Sequence, residues 1–234
     1  MKHRSVVLAA VMSAFALFAV LAVPAAAAPK NSGPVTYEAT LTNTSSQYLT
    51  PANYAAHGKD VELFSLNQPA SSGVQAVAEN GDVPALAGEI ATAVDANGLG
   101  VSGVGGGGPI APGESVTFEF TTSEDRISIV SMLICTNDGF AGLDSKKLPQ
   151  QGNAAKNYTL QGYDAGTEIN TEQLADIVPA PFCQLGSGLG TGATNPALAE
   201  DGVIKRHRTL QGNGTIDAKF DWTGPVAELS IVRK

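Results

Sequence analysis

Period-two alternation of apolar and polar residues is the sequence feature that most restricts the fold of this 234-residue chain. Residues 35–42 and 115–121 alternate in this way, which is typical of strands with one buried face. Residues 126–134 are apolar almost throughout and therefore predict a central strand that is buried on both faces. Further strands are predicted over residues 61–66, 158–163, 215–222 and 226–232.

Two segments have a helical pattern instead. Ser71 or Ser72 is placed to cap a first helix that ends near Glu79. Residues 83–94 are rich in Ala, Leu and Glu and predict a second helix.

Short strands, the turns between them and only about two short helices predict an all-β fold, an antiparallel β-sandwich. Three segments between the elements lack periodicity and are interpreted as loops: residues 51–60, 97–113 and 186–192. The sequence contains no internal repeat, so we predict a single β-sandwich domain.

The first 27 residues have the three parts of a secretion signal. A basic start is followed by an apolar stretch and by a small-residue cleavage site near Ala27. An uncleaved membrane anchor is the alternative, although the A-x-A-like site favours cleavage. No later segment is apolar for long enough to span a bilayer. We therefore predict a secreted or extracytoplasmic protein with a signal peptide over residues 1–27, a short flexible segment over 28–34 and the folded domain over 35–234.

The charge of the chain excludes one class of partner. Asp and Glu number 22 against 14 Lys and Arg, which gives a formal net charge of −8. An acidic surface repels phosphate backbones, so nucleic acid is not expected to bind. Acidity suits solubility and also suits the binding of cations. We expect a monomer.

The two cysteines of the chain are Cys135 and Cys183. Disulfides persist outside the cytoplasm, so we expect these two residues to be bridged. His57 and His207 are too few, and lack the spacing, to complete a structural zinc site with the cysteines. The alternative is that one or both cysteines are buried free thiols.

Other motifs in the sequence give little indication of a catalytic or binding function. Residues 103–108 match the glycine pattern of dinucleotide-binding loops, but Pro109 follows where that motif needs a helix. No G-x-S-x-G elbow for a hydrolase serine is present in the sequence. Residues 205–208 form a small basic cluster that could contact an anionic glycan or a lipid head group, although a solvated surface is the better interpretation.

Two acidic segments follow predicted strands. The first contains Asp138 and Asp144, and the second contains Asp164 and Glu168. Calcium takes six to eight oxygen ligands from carboxylates, carbonyls and water, and loops at strand ends can direct such groups to one point. Spacing alone favours the simpler interpretation, in which Asp and Gly form turns.

The same two segments resemble the paired signatures of the spondin N-terminal domain family. Residues 138–145 match its D-x-F-x-G-x-D-S loop, and residues 163–168 match its Y-D-A-G-T-[DE] turn. Residues 68–71, 78–82 and 204–232 are similar to the bacterial branch of the family. The resemblance covers nearly the whole chain after the predicted signal.

The resemblance implies an eight-stranded, C2-like sandwich that binds a divalent cation at one end, and the expected ion is Ca²⁺. Carried over residue by residue, it implies Asp138, Asp164 and Glu168 as ligands, with Asp144 as a fourth ligand or as a brace of the loop. Gly139 replaces the aromatic residue that animal members usually carry, and Glu168 replaces their Asp. These departures concern affinity and partners more than the fold.

Three functions are compatible with these observations. The leading hypothesis is a secreted, calcium-binding and non-catalytic interaction or adhesion module, whose partner is an extracellular protein or glycan. The second is an exported hydrolase that uses the acidic cluster as a metal or carboxylate site, which needs an open coordination position or a pocket between two carboxylates. The third is a purely structural envelope protein.

Overall fold

The computed structural model describes residues 33–97, 100–181, 183 and 195–234. The predicted signal peptide over 1–27 and the predicted loop over 186–192 lie outside the described residues. Among the described residues, no helix is long and apolar enough to cross a bilayer.

Nine antiparallel strands are present in the described chain. They are β1 Val35–Asn43, β2 Ala52–His57, β3 Gly100–Gly105, β4 Ser115–Thr122, β5 Arg126–Met132, β6 Gly139–Lys147, β7 Lys156–Asp164, β8 Lys205–Arg206 and β9 Ala227–Arg233. The strand order is β3-β2-β5-β6-β7-β9-β1-β4, and the two-residue β8 pairs with β7. The predicted all-β antiparallel fold is therefore confirmed, with the short β8 added to eight longer strands.

Strand β7 belongs to both layers of the sandwich. Its first half pairs with β9, and its register with β9 ends where Leu160 lies opposite Ala227. From Gln161 onward it pairs with β6 instead, and Gly139 lies opposite Asp164. The outer strands β3 and β4 approach each other through side chains, because the Phe118 ring lies against Gly105. The sheet is consequently almost closed.

The core between the layers follows the alternation of the strands. In β1, Tyr37, Ala39 and Leu41 are buried, as the period-two pattern predicts. The intervening threonines face outward, where Thr36 and Thr40 form hydroxyl pairs with partners on β4. Pairs of this kind stabilise neighbouring strands.

Two helices cover the other face of the β5–β6 layer. They are α1 Ser72–Asn80 and α2 Val83–Asn97, close to the predicted bounds. Ser71 caps α1 by accepting a hydrogen bond from the Val74 N–H at 3.2 Å. Gly81 ends α1 in the left-handed region, with φ of 66°, a conformation that favours glycine. Both helices bury apolar residues against the sheet: α1 packs on β5 and β6, and α2 packs on β2 and β3.

Four sequence-based assignments are wrong. Residues 51–60 contain β2 and residues 97–113 contain β3, although both segments were interpreted as loops. The residues of β2 are all buried, so the strand shows no polar alternation. Residues 215–222 form a short 3₁₀ helix, Ala218–Phe220, rather than a strand, and residues 61–66 form no strand.

The predicted disulfide is present. Cys135 and Cys183 are bonded, with a Cα–Cα distance of 5.5 Å, and both are buried. The bond joins the turn between β5 and β6 to a segment 48 residues further along the chain.

Candidate functional site

Three acidic side chains approach one another at one end of the β5–β6–β7 layer. Asp138 directly precedes β6, and the turn after β7 carries Glu168. Antiparallel pairing places these two segments side by side, since the Ala165 N–H donates to the Asp138 carbonyl at 3.1 Å. The third acid, Glu79, lies in the last turn of α1.

The carboxylate of Asp138 is completely buried. Its Oδ2 accepts hydrogen bonds from the backbone N–H groups of Thr167 at 2.8 Å and Glu168 at 3.1 Å. Its Oδ1 is buried and has no hydrogen-bond partner among the described residues. Burial, together with the charge of Asp164, raises the pKa of Asp138 to about 7, against the lowering effect of the two N–H donors. A buried acceptor left without a donor is costly, so this oxygen has capacity for a ligand.

Glu168 and Glu79 share the environment of Asp138. Burial raises the pKa of Glu168 to about 7, and the charges of Glu79 and Asp138 raise it as well, although the Asn195 N–H donates to Glu168 Oε1 at 3.1 Å. Glu79 is 4% exposed, and its Oε2 is buried without a described partner. The charge of Glu79 also raises the pKa of Asp138. The three carboxylates therefore form one electrostatically coupled group.

Asp164 borders this group and braces the turn that follows it. Its Oδ1 accepts the Gly166 N–H at 2.8 Å, and its Oδ2 accepts the Asn170 side-chain amide at 2.8 Å. Gly166 has φ of 70°, which a residue with a side chain rarely adopts. The turn that carries Thr167 and Glu168 to Asp138 therefore depends on both Asp164 and Gly166.

Asp144 does not join the other three predicted ligands. It lies within β6, six residues after Asp138, and a strand rises about 3.3 Å per residue. Asp144 Oδ1 instead accepts the Leu63 N–H at 2.9 Å and the Ser128 hydroxyl at 3.0 Å. Of the two roles that the resemblance implied for Asp144, the structure places it in the bracing position.

Ser128 also contacts a histidine, but the arrangement differs from a catalytic triad. His57 Nε2 lies 2.8 Å from Ser128 Oγ, and the other ring nitrogen lies 2.7 Å from the Gly58 carbonyl. Both His57 and Ser128 are completely buried, and Asp144 contacts the serine rather than the histidine. A triad needs the acid behind the histidine and an accessible serine. The hydrogen bonds from His57 through Ser128 to Asp144 therefore join β2, β5 and β6, and they give no support to the hydrolase hypothesis.

The carboxylates are not preassembled as a complete coordination sphere. Among the described residues, no group of three or more His, Cys, Asp and Glu side chains is arranged to hold a metal ion. The observation that favours a cation is the pair of unpartnered oxygens, Asp138 Oδ1 and Glu79 Oε2. Hard oxygen donors of this kind suit calcium, which also accepts carbonyl oxygens and water.

Comparison with models of known protein families identifies the domain that contains these acidic residues. A family model described as Spondin_N matches residues 36–176, which is more than half of the chain. The chain belongs to the Spondin_N family. The matched segment includes Glu79, Asp138 and Glu168, so the whole acidic group lies inside the Spondin_N domain. Domains of this family are of the extracellular-matrix type and are generally non-catalytic. No curated protein matches the sequence.

Glu79 is the site residue that the sequence analysis missed. Its segment, residues 78–82, contributed to the family resemblance but was not assigned to the cation site. The available signal was an acid at the end of a predicted helix, where the negative end of the helix dipole disfavours a negative charge. The sequence does not show that this helix end lies beside Asp138.

Proposed function

We propose that this chain is an exported, non-enzymatic interaction domain that binds a divalent cation, with calcium as the preferred ion, at the end of its sandwich. Glu79, Asp138 and Glu168 supply carboxylate oxygens, and Asp164 holds the turn that positions Glu168. The ion stabilises the loop end, which then serves as a contact surface for an extracellular protein or glycan.

The observation that carries this proposal is the state of Asp138. Its carboxylate is buried next to other acids, and its Oδ1 has no described hydrogen-bond partner. No described Lys or Arg forms an ion pair with Asp138, Glu79 or Glu168. Buried carboxylates are normally paired, protonated or bound to a metal. A divalent cation would compensate two of these three charges at once.

The predicted secretion signal and the disulfide support a location outside the cytoplasm. Extracellular calcium modules function with dissociation constants of about 10⁻⁴–10⁻³ M, a range that free extracellular calcium can fill. A weak site with incomplete preassembly is therefore compatible with this location. Cytoplasmic calcium would leave such a site largely empty.

Thermal unfolding in the presence of EDTA and then of excess calcium tests the proposal. At a hundredfold excess over the dissociation constant, a ligand adds about 2.7 kcal/mol, which corresponds to a rise in melting temperature of roughly 5–10 °C for a domain of this size. We expect this rise in the unmodified protein and its loss in Asp138→Asn. Magnesium in place of calcium reports the selectivity of the site.

Glu119→Gln is the matched control for these measurements. Glu119 is an exposed acid on β4, so its replacement changes the net charge by the same amount without touching the loop end. The control protein should retain the full calcium-dependent rise. A melting temperature that does not respond to EDTA or calcium in the unmodified protein contradicts the proposal.

A further inference from the structure

A polar cavity lies beside β8, and Asp164 forms part of its lining. Its volume is about 390 Å³, within the range of small-molecule sites. Its charged lining consists mainly of Asp164, Glu172, Lys205, Arg206, His207 and Arg208, a set termed here the basic pocket. These side chains include the basic cluster of residues 205–208, for which the sequence favoured a solvated surface.

The acids of the basic pocket are already satisfied by the chain itself. Glu172 is buried, and its two oxygens accept the backbone N–H groups of Gln211 and Asn213. Both oxygens of Asp164 are likewise occupied, by the Gly166 N–H and the Asn170 amide. The acid Glu200 also lines the cavity but is exposed to solvent. The buried acids therefore present little free acceptor capacity to the cavity.

The basic side chains of the basic pocket, in contrast to Asp164 and Glu172, are available to compensate the charge of a ligand. Within the described residues, Lys205, Arg206 and Arg208 form no ion pair. Arg206 is held over the Tyr163 ring, 4.6 Å from its centroid, so its guanidinium is oriented without a carboxylate partner. A planar guanidinium fixed on an aromatic face is well suited to recognise an oxyanion.

His207 adds a buried donor to this lining. Its Nδ1 accepts the Thr209 N–H at 3.0 Å, so the proton of the neutral ring is on Nε2. Although part of the His207 side chain is exposed, Nε2 is buried and has no hydrogen-bond partner among the described residues. An N–H group in this position needs an acceptor.

We propose that the basic pocket binds an oxyanion group, namely a carboxylate, sulfate or phosphate. Lys205, Arg206 and Arg208 supply the compensating charge, and the His207 ring forms part of the wall beside them. The cavity is larger than a bare oxyanion, and its remaining lining includes the amides of Asn170, Gln211 and Asn213. These amides suit the hydroxyl groups of a sugar that carries the acidic group.

Titration with sulfate, inorganic phosphate and D-glucuronate tests this inference and separates its sources, at constant ionic strength and on protein that has been stripped of metal with EDTA and then dialysed free of EDTA. Tighter binding of glucuronate than of the inorganic ions indicates an acidic sugar, and the reverse order indicates a free oxyanion. D-glucose is the neutral control. Binding is followed by calorimetry and by the histidine ¹H–¹⁵N spectrum, in which we expect the Nε2–H signal of His207 to shift with the bound probe.

Lys205→Ala combined with Arg208→Ala removes two exposed cations of the pocket. We expect at least a tenfold loss of affinity, because charge-assisted hydrogen bonds to an oxyanion are stronger than neutral ones. Lys59→Ala combined with Lys219→Ala removes the same charge elsewhere and should leave binding unchanged. Equal losses in both proteins, or no response to any probe up to about 10 mM, overturn the inference. Because the protein is metal-free in these titrations, their outcome is independent of the proposed cation site.

Discussion

Asp138 accepts a hydrogen bond from the main chain of Glu168, and its negative charge disfavours ionisation of the Glu168 side chain. Asp138 Oδ2 accepts the Glu168 N–H at 3.1 Å, while the Asp138 charge raises the pKa of the Glu168 carboxyl. The hydrogen bond fixes the turn after β7, so the two acids cannot move apart without losing it. Either protons or a cation must then compensate the charges that this turn brings together.

The first prediction concerns the pH dependence of stability without a cation. The pKa of Asp138 is raised to about 7 in the folded chain, well above its value when unfolded. Its stabilising contribution is therefore complete below about pH 4 and is lost as the pH rises through about 7. In EDTA, we expect unfolding free energy to fall by about 3 kcal/mol between pH 5 and pH 8, measured by urea denaturation. Asp138→Asn should lose the part due to Asp138 and keep the part due to Glu168, whose pKa is also raised to about 7. A flat profile in the unmodified protein contradicts the prediction.

The outcome for the fold shows where sequence patterns are informative. Strands with one buried face, such as β1, were predicted because polar and apolar residues alternate along them. Strand β2 was missed because its residues are buried on both faces and include Asn53 and His57. Residues 215–222 alternate in sequence but form a 3₁₀ helix, so alternation alone is not sufficient evidence of a strand.

The sequence also predicted some residues of the acidic site and not others, for physical reasons that can be stated. Asp138 and Glu168 could be predicted together because both follow strands and match a family signature. Glu79 could not be added because its proximity depends on how α1 packs on the sheet. Asp144 was included as a ligand or a brace because it matches the second aspartate of the D-x-F-x-G-x-D-S signature, whereas the intervening residues extend along β6.

The second prediction concerns Glu79. Its charge raises the pKa of both Asp138 and Glu168, so Glu79→Gln removes repulsion while an oxygen remains to accept the Gln75 amide. We expect this variant to be more stable than the unmodified protein in EDTA at pH 8, and to gain less from calcium. Paired melting curves with EDTA and with calcium measure both effects. Destabilisation in EDTA together with an unchanged calcium response would show that Glu79 has only a packing role.

The third prediction separates Asp144 from the cation site. Asp144→Ala leaves the Leu63 N–H without its acceptor and breaks the contact with the buried Ser128 hydroxyl. We expect a loss of about 2–4 kcal/mol in unfolding free energy, with an unchanged calcium-dependent gain. Asp144→Asn keeps an oxygen acceptor and should lose less. A calcium response that disappears in Asp144→Asn would restore Asp144 as a ligand.

The fourth prediction concerns the disulfide. A bridge that closes a segment of 48 residues stabilises the folded chain by about 4 kcal/mol through the entropy of the unfolded state. Replacing Cys135 and Cys183 together by Ala should lower unfolding free energy by up to this amount. Cys135 is three residues before Asp138, so we also expect weaker calcium binding. Calcium titrations below the melting temperature of the variant distinguish this local effect from global destabilisation.

The fifth prediction concerns Gly166, which forms the turn that carries Thr167 and Glu168 to Asp138. Its φ is 70°, and a Cβ at this position would lie 2.6 Å from the Val203 carbonyl oxygen. Gly166→Ala therefore combines backbone strain with a main-chain clash, and any shift of the turn weakens the two N–H bonds to Asp138. We expect a loss of more than about 2 kcal/mol in unfolding free energy and a reduced calcium response.

Gly152→Ala is the matched control for this change. Gly152 has φ of 69°, but a Cβ there would meet no atom within 4 Å. Its substitution isolates the cost of the left-handed conformation, about 1–2 kcal/mol, and should leave calcium binding intact. The difference between the two variants measures the clash with Val203 and its effect on the turn. Equal losses of stability and equal calcium responses in the two proteins would mean that Gly166 contributes only its backbone conformation, and that the cation site does not depend on the position of this turn.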